Sequence, residues 1–242
     1  CAAAAQAIAE GFRAIRRGEV DVAVVGGHDS MLHPFGLLSF VVLGALSPGL
    51  GRPFDRNRDG FLIGEGAAIL ILESEAHARA RGARIRARLL GTGTSVDGYA
   101  ATAPQPDGLG AEAAMRAALE DAGLVGGDVD HVNAHATATP VGDVAEAAAI
   151  ARVTPHATVS SFKGAIGHTI AAAGAIEAAG CIGALENGFM PGTAGLIERD
   201  PAVSINVLPA PVQRAPSVVV SNSFGFGGQN ASLVFGRAGG DA

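Results

Sequence analysis

Residues 158–188, TVSSFKGAIGHTIAAAGAIEAAGCIGALENG, decide the fold. A short β-branched run leads through a glycine-bearing loop into an alanine-rich helix at 170–188, which is one βα unit of a helix-covered sheet. Upstream, the pattern repeats. AEAAMRAALEDAGL (111–124) is spaced as an amphipathic helix, DVDHVNAHATATP (128–140) as a strand ending in a polar loop, and DVAEAAAIARV (143–153) as a helix. Downstream, SINVL (204–208) and SVVVSNSFGFGGQNASLVFGR (217–237) read as strands around a glycine turn.

The first third fits the same alternation. Residues 1–17 form a helix stopped by Gly18, and VDVAVVGG (20–27) is a buried strand. A helix-like segment follows at 34–46. Then come a charged loop, a buried strand at 67–73, a short helix at 75–81 and a strand at 84–96. The change from one βα set to the next falls near residue 83, dividing the chain into 1–83 and 84–242. Mixed or parallel sheets covered on both faces are expected.

Composition excludes several classes. The 242 residues are 48% hydrophobic and 17% charged, a compact α/β balance rather than a disordered one. A net charge of -6 with no basic stripe argues against a nucleic-acid partner. The one basic cluster, residues 78–88, reads as a solvated helix end, with a patch for an acidic partner as the alternative. No uninterrupted apolar run reaches membrane-spanning length. Two cysteines, Cys1 and Cys181, make no disulfide framework, and no export pattern is present, so a cytoplasmic location is expected.

Four segments place polar groups where strands of such sheets end, the usual ligand position. Cys1 opens a helix, where the macrodipole favours thiolate. His135 stands at a strand end, with Thr137 and Thr139 on alternate positions after it. Lys163 and His168 flank a glycine turn, and His168 heads the next helix, where the dipole favours neutral imidazole. Two neutral imidazoles donating through Nε2 make an oxyanion binder. NSFGFGGQN (222–230) carries Phe224 and Phe226 on a glycine-dependent loop. His28, His33, His77, His131 and His156 lack such context and read as surface or loop residues. Cys181 reads as a buried small hydrophobe. FDRNRDGF (54–61) has too few carboxylates for a calcium loop and reads as a turn supporting the site.

GRPFDRNRDGFLIGEGAA (51–68), NAHATAT followed by PVGD (133–143), KGAIGHT with AAAGAIEAA (163–179) and SNSFGFGGQNASLVF (221–235) occur in an order and spacing that resemble one family. The chain is similar to β-ketoacyl-[acyl-carrier-protein] synthases of the elongating, type II-like class, in the thiolase superfamily. The resemblance implies a thiolase-like layered αβαβα architecture starting at the nucleophile. Residues 1–83 would be the remainder of the N-terminal half and 84–242 the C-terminal half.

It also implies roles. Cys1 would be the acyl-accepting nucleophile, with His135 and His168 stabilising the enolate left by malonyl decarboxylation. Lys163 would organise the histidines electrostatically. Glu177 would pair with Lys163 or help hold a structural monovalent cation. Thr137 and Thr139 would bind the phosphopantetheine arm, which the acyl carrier protein brings. Phe226 would be the gatekeeper, on a loop shaped by Phe224 and Gly227. No redox cofactor or catalytic metal is implied.

The expected partners are an acyl carrier protein and a second subunit, as homodimer or heterodimer. Cys1 is expected to be internal to the functional enzyme. Three alternatives account for its position: a fragment or processed product, half of a split synthase with a complementing N-terminal polypeptide, or maturation to a free N-terminal nucleophile. The chain alone is expected to be catalytically incomplete. The alternative functions are polyketide synthesis and a non-catalytic chain-length-determining subunit. Three departures from the family pattern stand out: Ala136, expected to narrow the arm channel; Gln229 beside the gate; and a shortened ALSPGLGRPFD (45–55). The last leaves carrier docking to Arg52, Arg56 and Arg58.

Overall fold

The computed structural model describes residues 1–239. Helix α1 (Ala3–Arg16) buries Ala4, Ala5, Ile8 and Ala9 on one face and ends before Gly18, whose φ is +70°. Strand β1 (Val22–Ser30) pairs antiparallel with β2 (Glu65–Glu73), from Val22 opposite Glu73 to Ser30 opposite Glu65. Between them lies α2 (Pro34–Val42), capped by His33 Nδ1 accepting from the Gly36 amide. Helix α3 (Glu75–Ala80) follows, capped by Ser74.

The second sheet has six strands: β3 (Ala87–Val96), β4 (His131–Asn133), β5 (Thr158–Ser160), β6 (Asn206–Val207), β7 (Val218–Gly225) and β8 (Gln229–Arg237), in the order β3-β8-β7-β4-β5-β6. Strands β7, β4, β5 and β6 run parallel, and β8 runs antiparallel to both β3 and β7. Helices α4 (Leu109–Ala122), α5 (Pro140–Val153), the one-turn α6 (Lys163–Ile166) and α7 (Ala173–Asn187) connect them.

Alternation along β7 and β8 divides the core in two. Val219, Leu233 and Phe235 face α1 and α7, with Leu70 and Leu72 of β2 closing the far side. Val220 and Val234 face the opposite way, onto Met115 and Leu119 of α4 and Ile150 of α5. The layers are therefore the β1–β2 sheet, the α1/α7 pair, the six-stranded sheet and the α4/α5 pair.

The β1–β2 sheet departs from the expected burial. Val24 and Ile69 on its outer face are 70% and 62% exposed, because no described residue covers that side. The arginines of residues 79–88 are a solvated surface as expected, paired with Glu73, Glu75 and Glu186. Among the described residues no helix is long and apolar enough to cross a membrane.

Candidate active site

Cys1 precedes α1, His135 follows β4, and His168 lies between α6 and α7. The fold brings all three together. His168 Nε2 lies 3.1 Å from Cys1 Sγ, and the two imidazole centroids are 5.4 Å apart, edge to face. The Ile170 amide donates to His168 Nδ1 at 3.3 Å, which places the ring's proton on Nε2, toward the sulfur. The His168 backbone is pinned by its N–H to the Leu62 carbonyl and its carbonyl to the Gly64 N–H. Phe61 stacks edge-on against the His168 ring at 5.2 Å, with Phe40 behind it.

Both imidazoles titrate well below the ordinary histidine value, chiefly through burial and then through the Lys163 ammonium. The expected neutrality holds, but the helix dipole is not its main source: α7 starts only at Ala173, after a 3₁₀ turn at Ile170–Ala172. Lys163 is itself buried and paired with Glu177, whose other oxygen accepts from Asn133. Burial raises the Glu177 carboxyl in spite of that pairing. Cys181 is buried beneath, and burial pushes its thiol up to about 12, leaving it inert beside Cys1.

Two carboxylates of α5 hold the loop after β4 from behind. Glu146 accepts from the amides of His135 (2.8 Å) and Ala136 (2.7 Å) and from Asn222 Nδ2 (3.1 Å). Asp143 accepts from the amides of Ala138 (3.1 Å) and Phe54 (2.7 Å), both in the left-handed region. Burial raises Asp143 to about 7 against those donors. Asp29, at the end of β1, fixes the Ala171 amide at 3.0 Å. Sequence reasoning missed Glu146 and Asp29, which act on backbone amides. The lone carboxylates at 143 and 146, on a helix otherwise full of alanine, were the available signal.

The remaining candidates fall around this centre. Thr137 and Thr139 are partly buried, with their hydroxyls 3.2 Å apart. Phe224 belongs to β7 rather than to the loop, and its ring lies 6.0 Å from His135. Phe226 stands at the exposed tip with Gly227 in the left-handed region. FDRNRDGF does support the site, since Gly60 donates to the Ala138 carbonyl.

Three readings are corrected. Ala136 packs within the hydrophobic core rather than narrowing a channel. His131 is buried, not on a surface, between Thr158 Oγ1 and Ser160 Oγ, each at 2.9 Å. Arg58 is buried and internally bonded, so it cannot offer itself for docking.

Cys1, His135 and His168 each offer a ligand atom within 4.8 Å of the others, a metal-like spacing. The proton on His168 Nε2 and the Lys163 charge both oppose a cation there. The His168 N–H beside a buried ammonium suits a developing anion instead, and the His135 ring lies edge to face with that imidazole.

The chain resembles known proteins along nearly its whole length. Residues 1–78 match the family model of the β-ketoacyl synthase N-terminal domain, and residues 86–196 that of its C-terminal domain. The chain is 40% identical over 247 residues to 3-oxoacyl-[acyl-carrier-protein] synthase 2 of Mycobacterium tuberculosis, covering 98% of this chain and 59% of that protein. It superposes on the ishigamide ketosynthase/chain length factor with a TM-score of 0.95 and 40% identity, over 99% of this chain and 59% of that one. A type II polyketide ketosynthase, AntDE, in complex with its acyl-carrier protein AntF, gives a TM-score of 0.96 at 31% identity, over 99% and 62%. The chain thus spans about three-fifths of the length of each, and has their layered, thiolase-like fold.

Proposed function

The chain belongs to the β-ketoacyl synthase family, and on that premise we propose that it performs decarboxylative Claisen condensation on carrier-bound thioesters. The observation that carries this reading is the Cys1–His168–His135 constellation, with a neutral imidazole whose Nε2–H faces the sulfur.

The reaction has two halves. The Cys1 thiolate attacks the acyl thioester, a bond forms from sulfur to the carbonyl carbon, and the pantetheine thiolate leaves with the proton Cys1 gave up. A malonyl thioester then binds in its place, with its carbonyl oxygen toward His135 and His168. Its carbon–carbon bond breaks, carbon dioxide departs, and the electron pair becomes an enolate whose oxygen is held by the imidazole N–H groups. The enolate carbon attacks the acyl-Cys1 carbonyl, and Cys1 thiolate is expelled. Removing one such donor costs about 3–4 kcal/mol, or roughly 10²–10³-fold in rate.

In this reading Thr137 and Thr139 receive the pantetheine arm, and Phe226 gates the acyl chain. Burial first, and then Lys163 held by Glu177, keep the imidazoles neutral. The partners are an acyl carrier protein and a second subunit, and the setting is the cytoplasm. Whether the chain grown is a fatty acid or a polyketide is set by the carrier-bound primer. A non-catalytic chain-length subunit has no need of Cys1 placed against His168.

Carbon dioxide release from malonyl-carrier protein tests the division of labour. Cys1→Ala should abolish condensation while retaining decarboxylation, and His168→Ala should lower decarboxylation about 10²–10³-fold. Equal decarboxylation by wild type and His168→Ala would refute the assignment.

A further inference from the structure

We infer that Arg58 is a positioning residue: its guanidinium holds the Thr137–Pro140 turn in the shape that gathers the two arm-binding hydroxyls. The inference rests on the proposed role of those threonines. Arg58 lies in a charged run with Arg52 and Arg56, yet its side chain is only 4% exposed.

All three nitrogens of its planar fork donate, through four of the five N–H groups. Nε donates to the Thr139 carbonyl at 3.2 Å and Nη2 to the Pro140 carbonyl at 2.7 Å. Nη1 donates to the Asp55 carbonyl at 3.0 Å and to Asp200 Oδ2 at 2.5 Å. Asp143, which accepts from the Ala138 amide, lies 3.7 Å from Nε. The Ala138 carbonyl is taken by the Gly60 amide.

What is held this way is an unfavourable turn. Ala138 has φ +66°, a conformation non-glycine residues avoid. Two residues on one face of an extended strand stand roughly 6.6 Å apart along the chain. The left-handed residue between Thr137 and Thr139 folds the chain instead, and their hydroxyls lie 3.2 Å apart. A lysine carries its charge at one point and cannot span carbonyls on both sides of the fork.

Arg58 touches neither Cys1 nor the histidines in any hydrogen bond, so its effect should fall on arm binding. The test compares malonyl-pantetheine with malonyl-N-acetylcysteamine, a thioester lacking most of the arm, using the protein in its native assembly. Arg58→Lys should raise KM for malonyl-pantetheine ~10-fold with kcat within about twofold, and leave kinetics with the truncated thioester unchanged. In a Thr137→Val/Thr139→Val background, Arg58→Lys should have no further effect on KM. An unchanged KM, or equal damage with both thioesters, would overturn the inference.

Hydrogen exchange over residues 134–140 is read in the same samples and does not depend on turnover. Faster exchange of the Ala138 amide in Arg58→Lys is expected, and unchanged exchange counts against the clamp. If wild type turns over neither thioester, the proposed function fails, and exchange alone decides the role of Arg58.

Discussion

His168 carries its proton on Nε2 because the Ile170 amide occupies Nδ1, and it resists a second proton because burial and Lys163 oppose it. Removing the lysine charge should therefore raise the pKa of both imidazoles toward 6.5. Lys163→Met paired with Glu177→Gln removes the ammonium without stranding a buried carboxylate. A proton on His168 Nδ1 would face the Ile170 N–H and turn the ring away from the sulfur, so the acid limb of decarboxylation should move to higher pH in this variant. A pH–rate profile of carbon dioxide release checks this, and an acid limb that stays put or moves down contradicts it. At this scale the sequence was informative about the residues that do chemistry. Cys1, His135, Lys163 and His168 sit in short glycine- or alanine-flanked segments, and they converge. It was silent about Asp29 and Glu146 and pointed Arg58 toward docking, because a side chain that bonds distant backbone leaves no local spacing to read.

Strand β4 shows how a short element hides its partners. His131 looked unremarkable in sequence, yet parallel pairing with β5 sets its ring between Thr158 and Ser160. Burial, followed by the Arg214 charge, lowers its pKa to about 4. The unfolded chain, with an ordinary value near 6.5, binds that proton first, so stability is present above pH 6.5 and is lost as pH falls toward 4. The loss attributable to His131 is roughly 3 kcal/mol over that window. His131→Asn should be less stable at pH 7.5 but should lose less stability between pH 7 and 5, as measured by urea unfolding. A slope equal to wild type would contradict this.

The contact between β3 and α4 rests on an equally local feature. A Cβ at Gly93 would lie 2.1 Å from the Ala114 carbonyl oxygen and 2.4 Å from the Ala118 amide. Gly93→Ala should shift the helix off the sheet and destabilise by ~2–3 kcal/mol, lowering the urea midpoint. An unchanged midpoint would mean α4 is not seated on that glycine. Periodicity gave both elements, but nothing in a glycine-rich strand says which backbone it approaches.

Across the whole molecule, alternating strands and helices were enough to anticipate helix-covered sheets, and the six-stranded sheet between α1/α7 and α4/α5 has that form. The outer face of β1–β2 was misjudged for a physical reason. A run such as VDVAVV records that a strand prefers burial, not whether the described residues supply a cover for both faces. The layers place α1, the β4 and β7 ends and the α6–α7 connection around one point, where acyl transfer is proposed to occur. The direct measurement is the mass of tryptic peptides after exposure to an acyl-carrier protein and then to malonyl-carrier protein. The acyl mass is expected on Cys1 and not on Cys181, followed by its disappearance as β-ketoacyl-carrier protein and carbon dioxide form. Cys1 left unmodified in the native assembly, or an acyl group that malonyl-carrier protein cannot remove, would contradict it.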